Sequence, residues 1–194
     1  MQQSASVDIF ARYESLFVSL KSVIKESENR VIRDIPDELF SENVNFFVKS
    51  YLISVCSYLE AYLQDVAFKY TQELNLRISS ANIPHNFIHW KMVNGLKDKN
   101  LKYEVVDLSV SKGDISSNIS ANPYRTLKLF QLLGIDLSAV TGFQNNRDLV
   151  NTVVTKRNNI VHHNNDAADV AFGDLITYID VILVYMKSID EAAR

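Results

Sequence analysis

Two side chains near the C-terminal end of the sequence have the types and spacing to combine anion binding with proton transfer. Arg157 lies in the stretch Asp148-Leu-Val-Asn-Thr-Val-Val-Thr-Lys-Arg-Asn-Asn-Ile-Val-His-His163. Read as a helix at about 100° per residue, Leu149, Val150, Val153, Val154, Ile160 and Val161 span an arc of about 140°. Arg157 projects near the middle of that arc, about 80° from Leu149. A guanidinium on an apolar face is costly unless something pairs with it. Either it snorkels or meets a carboxylate of a neighbouring helix, or it is held in a partly buried cleft to clamp a phosphate-like anion. His162 follows close to where the helix should end. Histidine titrates near neutrality and can carry a proton, although a histidine at a helix end is as readily a cap. The two project about 140° apart on a regular helix, so only the length of Arg157 and a loosened helix end would bring them to one cleft. Asn158 and His162 are one turn apart and share a face, so an Asn158-to-imidazole hydrogen bond could fix the ring tautomer. His163 points another way.

These residues need long helices to hold them, and the sequence supplies the pattern. The chain has 194 residues, 47% apolar, with only 5 Gly and 3 Pro, which suits one domain spanning residues 1–194 and built of helices rather than many strands. A first helix is expected from about Val7 to Asn29, broken before Pro36. A second is expected from Ser41, as N-cap, toward Leu74, with Val48, Leu52, Val55, Leu59, Leu63 and Val66 as its stripe. Residues from about 76 to 123 read as an irregular insertion. Pro84 opens a short helix through Trp90 and Leu96, and Leu101–Val110 alternates imperfectly as a short hairpin or ordered loop, with Gly113-Asp114 as a turn. Helices return at Tyr124–Leu133, stopped by Gly134, at Asn146–His162, and at Ala167–Glu191, with Asn164, Asn165 and Asp166 turning between the last two. The final helix is apolar nearly all round, so it must be covered on several sides, and a dimer interface is one way to do that. The fold class that follows is all-α: a bundle of four to five main helices with one irregular insertion, dimeric.

The remaining features exclude more than they assign. A net charge of -3 and a pI near 5.8 leave no general basic coat, so any dealing with nucleic acid must use a local site. Cys56 is alone, which rules out an internal disulfide and a cysteine zinc cluster. Its apolar neighbours make it a small core residue. No cofactor motif is recognisable. His85 and His89 have a spacing that can chelate, but no HExxH pattern or cysteine accompanies them, so surface or packing histidines are expected and no metal site. Trp90 beside Lys91 could stack a base, although packing is the commoner use of a tryptophan. Lys97, Lys99, Lys102 and Lys112 alternate with Asp98, Glu104, Asp107 and Asp114, as a solvated loop does. The N-terminus lacks the charged head and apolar run of a signal peptide, and Leu175–Met186 is too short to span a bilayer, so no membrane attachment and a cytoplasmic location are expected.

Arg157-Asn158-Asn159-Ile160-Val161-His162 resembles the R-polar-x3-H form of the motif that marks the HEPN superfamily. As in that superfamily, it closes a helix just before the last one. Upstream, Ser57-Tyr-Leu-Glu-Ala-Tyr-Leu-Gln-Asp65 resembles the S-x-x-E-aromatic segment of several prokaryotic HEPN families, and the nearest likeness is to the stand-alone families of bacterial conflict systems, including the RiboL-PSP type. The likeness spans roughly Phe47–Tyr70 and Asn122–Glu191. Many relatives have Gly where His163 stands; the spacing and Val161 favour His162 as the acting histidine. The resemblance implies a homodimeric, metal-independent endoribonuclease, a toxin or antiviral effector whose two motifs meet in one cleft, with RNA as substrate and an antitoxin or regulatory protein as possible partner. It implies Arg157 and His162 as the catalytic pair, Asn158 as the polar orienting residue and Glu60 as a candidate partner of Arg157, with His163 in support. It equally includes inactive members that bind nucleotides or proteins. Without the resemblance, a plain helical dimerisation domain with Arg157 paired internally would serve.

Overall fold

The computed structural model describes residues 8–93, 101–163, 167 and 169–194. The first helix, α1 (Ile9–Ile32), starts where the Asp8 carboxylate accepts from the amides of Phe10 and Ala11, satisfying two of the donors that a helix start leaves open. A short α2 (Glu38–Glu42), capped by Asp37, follows. The expected start of the next helix at Ser41 is thus corrected: Ser41 lies inside α2, which Asp37 caps, and the chain restarts as α3 (Val44–Ser80) with Asn43 at the N-cap position. At 1.5 Å per residue α3 is about 55 Å long. Its stripe of Val48, Leu52, Val55, Cys56, Leu59, Tyr62 and Leu63 is fully buried.

Of the two readings of Leu101–Val110, hairpin or ordered loop, the ordered loop is the one found. Among the described residues there are no strands, only an isolated bridge between Pro84 and Val105. Helix α4 (His85–Val93) follows Pro84, and Glu104, Val105 and Val106 run beside Ile83, Pro84 and His85 at its start. Gly113-Asp114 is not a turn either. Ser111 and Asp114 form a reciprocal capping box that starts α5 (Lys112–Asn118), so a pair that reads as a turn serves instead as the first turn of a helix. Leu96, Lys97 and Lys99 lie outside the described residues, as do Asn164, Asn165 and Asp166.

Asn122 and Pro123 then start α6 (Pro123–Leu132), as cap and first helical residue. Gly134 ends that turn at a φ of 85°, where a side chain would be strained. After a single 3-10 turn at Leu137–Ala139 comes α7 (Thr141–His163), and then α8 (Phe172–Ala192). The last helix begins later than Ala167, because Ala167 and Val170 are themselves buried in the connection, and the Asp174 carboxylate accepts from the Ala171 amide to open the helix at Phe172.

Helices α1, α3 and α7 surround α8, and their facing residues form one core. The Tyr62 hydroxyl donates to the Met186 carbonyl at 2.7 Å, and Tyr185 stacks on Phe143 with ring centroids 4.9 Å apart. These contacts bury Leu175, Ile179, Ile182, Tyr185, Met186 and Ile189 of the final helix within one chain, while Val184 stays 54% exposed on its outward face. Among the described residues, no helix is long and apolar enough to cross a membrane. The start of α7 packs tightly on the end of α8: a Cβ at Gly142 would lie 2.7 Å from the Ser188 Cβ. Gly142→Ala is therefore expected to cost about 1–3 kcal/mol by overpacking. For a chain of this size that lowers the thermal midpoint by roughly 2–4 °C per kcal/mol, and a melt followed by circular dichroism measures it.

Candidate active site

Helices α3 and α7 face each other through Cys56, Glu60 and Arg157. The sequence puts Arg157 on the apolar arc of α7, and packing against α3 leaves its side chain only 24% exposed, with Glu60 at 31%. Neither charge is in the core, and neither is fully in water. Arg157 Nη2 lies 3.7 Å from Glu60 Oε2, an ion pair but too long for a direct hydrogen bond. Arg157 Nη1 donates to Asn158 Oδ1 at 3.0 Å, while Nε is buried with no hydrogen-bond partner. The guanidinium is neutralised by Glu60 but not saturated by it. Donors stay uncommitted on a planar fork suited to phosphate oxygens.

Cys56 sits one helical turn before Glu60 and is fully buried. Burial pushes its thiol up to about 12; Arg157 pulls it down and Glu60 pushes it up by lesser amounts. At neutral pH it is a core residue that offers no thiolate nucleophile.

His162 and His163 lie exposed on the last turn of α7, with ring centroids 6.5 Å apart. Among the described residues, no hydrogen bond or ion pair joins either ring to Arg157, Asn158 or Glu60. The expected bond from Asn158 to the His162 ring is corrected: the Asn158 carboxamide turns to Arg157 instead. A hydrogen bond assisted by the guanidinium charge is stronger than one to a neutral imidazole. The structure thus gathers Arg157, Asn158 and Glu60 into one cluster and leaves the two histidines on the surface. Five residues of helix separate Arg157 from His162 by about 7.5 Å along the axis and about 140° around it.

Contacts that follow the motif were not foreseeable. The Asn45 side chain of α3 accepts from the Ala167 amide at 2.9 Å, and Lys156 pairs with Asp169. Together they hold Ala167 to α3 and Asp169 to α7. A cavity of about 220 Å³ opens there, lined by Leu52, Lys156, Asn159, Ile160 and Val170 among others. No spacing in the sequence joins Lys156 to Asp169 across a connection, or Asn45 to a backbone amide.

Elsewhere, the rings of His85 and His89 lie parallel at 5.9 Å. Among the described residues, no three His, Cys, Asp or Glu side chains come together as a metal-holding group. Trp90 is 43% exposed, which removes core packing as its role. Lys112 pairs with Asp65 and Lys102 with Glu104, as residues of a solvated surface do.

An all-α bundle whose penultimate helix closes on an R-x4-H motif has the architecture of a HEPN domain. The family described as RiboL-PSP-HEPN matches residues 10–194, and the chain belongs to that family. No match emerges among curated proteins or among solved structures.

Proposed function

We propose that this chain is a metal-independent endoribonuclease acting as a homodimer, and that it serves as a toxin or antiviral effector in the cytoplasm. The observation that carries the reading is the half-buried Arg157 guanidinium with uncommitted donors, placed in the HEPN motif. RNA brings its own nucleophile, the 2′-OH, so a protein site need only orient it, move protons and stabilise the charged phosphorane. In this account Arg157 holds the non-bridging oxygens, Asn158 and Glu60 hold Arg157, and His162 moves protons from the exposed end of α7. Its exposed ring reaches a cleft only when another surface covers it, and a second copy of the chain is that surface. Two copies related by a two-fold axis bring two arginines and two histidines, enough for an acid, a base and an anion clamp.

Light scattering of the purified protein at micromolar concentration is expected to report close to twice the 22.1 kDa chain mass. The same preparation is expected to cut RNA in excess EDTA. A monomer that stays monomeric with RNA present sinks the composite site. A second reading, a non-catalytic HEPN module that binds a nucleotide or a protein, is favoured by the Arg157–Glu60 ion pair and by the distance around α7 between Arg157 and His162. It predicts no RNA cleavage under any condition.

A further inference from the structure

Five large aromatic side chains are exposed among the described residues, and three of them, Phe87 at 52%, Trp90 at 43% and Tyr103 at 92%, belong to the insertion. They sit on one module. Phe87 and Trp90 are on α4, with ring centroids 6.2 Å apart and tilted by 58°. The extended segment that carries Tyr103 is tied to α4 on both sides of it: the Lys102 amide donates to Asn86 Oδ1 at 2.8 Å, and the His85 amide donates to the Glu104 carbonyl at 3.0 Å. Between α4 and the segment lies a cavity of about 370 Å³, lined by Asn86, Lys102 and Tyr103 among others.

Ammonium groups accompany the rings. Lys91 Nζ lies 5.2 Å from the Trp90 ring centroid. Lys102 pairs with Glu104 only at 3.9 Å, with both side chains more than 60% exposed, so that pair holds Lys102 weakly. Exposed rings with lysines beside them match a strand whose bases are unpaired and whose backbone is anionic. A duplex hides its base faces, and the centre of a protein interface is depleted in lysine. We infer that the outward face of α4 and the segment around Tyr103 binds single-stranded RNA, with bases stacking on Trp90, Phe87 and Tyr103 and phosphates meeting Lys91 and Lys102.

This surface adds to the ribonuclease reading a second contact, away from the cutting site. Glu60, which faces Arg157, precedes the end of α3 at Ser80 by about 30 Å of helix axis, and α4 begins just past that end. The surface therefore holds a part of the RNA distant from the cut bond.

The test is fluorescence anisotropy on the full chain with a labelled, unpaired 2′-O-methyl oligoribonucleotide of about twelve nucleotides, within the span such surfaces cover. It has no free 2′-OH, so binding is read whether or not the protein cuts RNA. Trp90→Ala and Tyr103→Ala are each expected to weaken binding about ten-fold. Trp90→Phe keeps most of the affinity, and Phe46→Ala, which removes an exposed aromatic elsewhere, leaves it unchanged. Tyr103 is so exposed that its loss spares the fold, which keeps the test open should Trp90→Ala misfold. Wild-type affinity in both alanine variants overturns the inference, as does no binding by the wild type. Unchanged affinity together with a shift from dimer to monomer overturns it too, and assigns the surface to a second copy of the chain. Ribonuclease activity with unchanged binding rejects this inference alone; loss of binding in the variants of a protein that never cuts RNA rejects the ribonuclease reading alone.

Discussion

Replacing Arg157 by alanine is expected to lower RNA cleavage by about 10²–10³-fold, the cost of removing a donor aimed at developing charge. His162→Ala is expected to lower it by about 10²–10⁴-fold, the range for a positioned proton-transfer group. The two should differ in kind. Arg157 contributes most where the phosphorane gains charge, so its loss lowers the rate more than RNA affinity. His162 lies exposed at the end of α7, so its loss leaves the bundle intact, with unchanged helical signal and dimer mass. His163→Ala should cost much less than either. Single-turnover cleavage of a labelled RNA, with binding measured separately, gives all three results. Loss of activity in His163→Ala with full activity in His162→Ala moves the assignment by one residue. Unfolding of Arg157→Ala, read by circular dichroism, makes the pair with Glu60 structural instead. Partial exposure of Glu60 lets water solvate the carboxylate left behind, so the fold is expected to survive.

The sequence carries the long elements of this fold because each has a clear apolar period. The α3 stripe from Val48 to Leu63 is read at its true positions, and Gly134 marks a real stop. The insertion is less legible because its signals are short: among the described residues the alternation at Leu101–Val110 forms a single β-bridge, to Pro84, and Gly113-Asp114 belongs to a capping box. Boundaries are also set by single residues, as where Asp37 caps a short helix that takes in Ser41 and the long helix starts only after Asn43. In the candidate site, Arg157 stands out through its place on an apolar arc, which is a local property. Its relation to Glu60 comes only from family likeness, since nothing local links α3 to α7. The turn of Asn158 toward Arg157 and the Lys156–Asp169 pair depend on side-chain competition in three dimensions. The apolar circumference of α8 shows the reverse case. It is plain in the sequence, but three helices of the same chain cover most of it and leave Val184 exposed.

The reaction itself carries the largest expected effect. In the proposed mechanism the 2′-oxygen attacks the adjacent phosphorus in line as a proton leaves it, and the 5′-oxygen departs as it gains a proton. Arg157 stabilises the negative charge on the non-bridging oxygens in between. The products then end in a 2′,3′-cyclic phosphate, or its opened form, and a 5′-hydroxyl. A substrate without the 2′-OH at the cut site has no nucleophile, and no rearrangement of the protein can supply one. A single 2′-deoxy substitution there is expected to abolish that cut while neighbouring cuts continue. Metal removal should change nothing, because Arg157 and His162 carry the charge and the protons.

The most direct test sets an oligonucleotide bearing one 2′-deoxy residue at the cut site beside its all-ribose twin, each incubated with the wild-type protein in excess EDTA. The account predicts cleavage of the all-ribose strand at that site and none of the substituted strand. Equal cutting of the two, or cutting that returns only when magnesium is added, would contradict it.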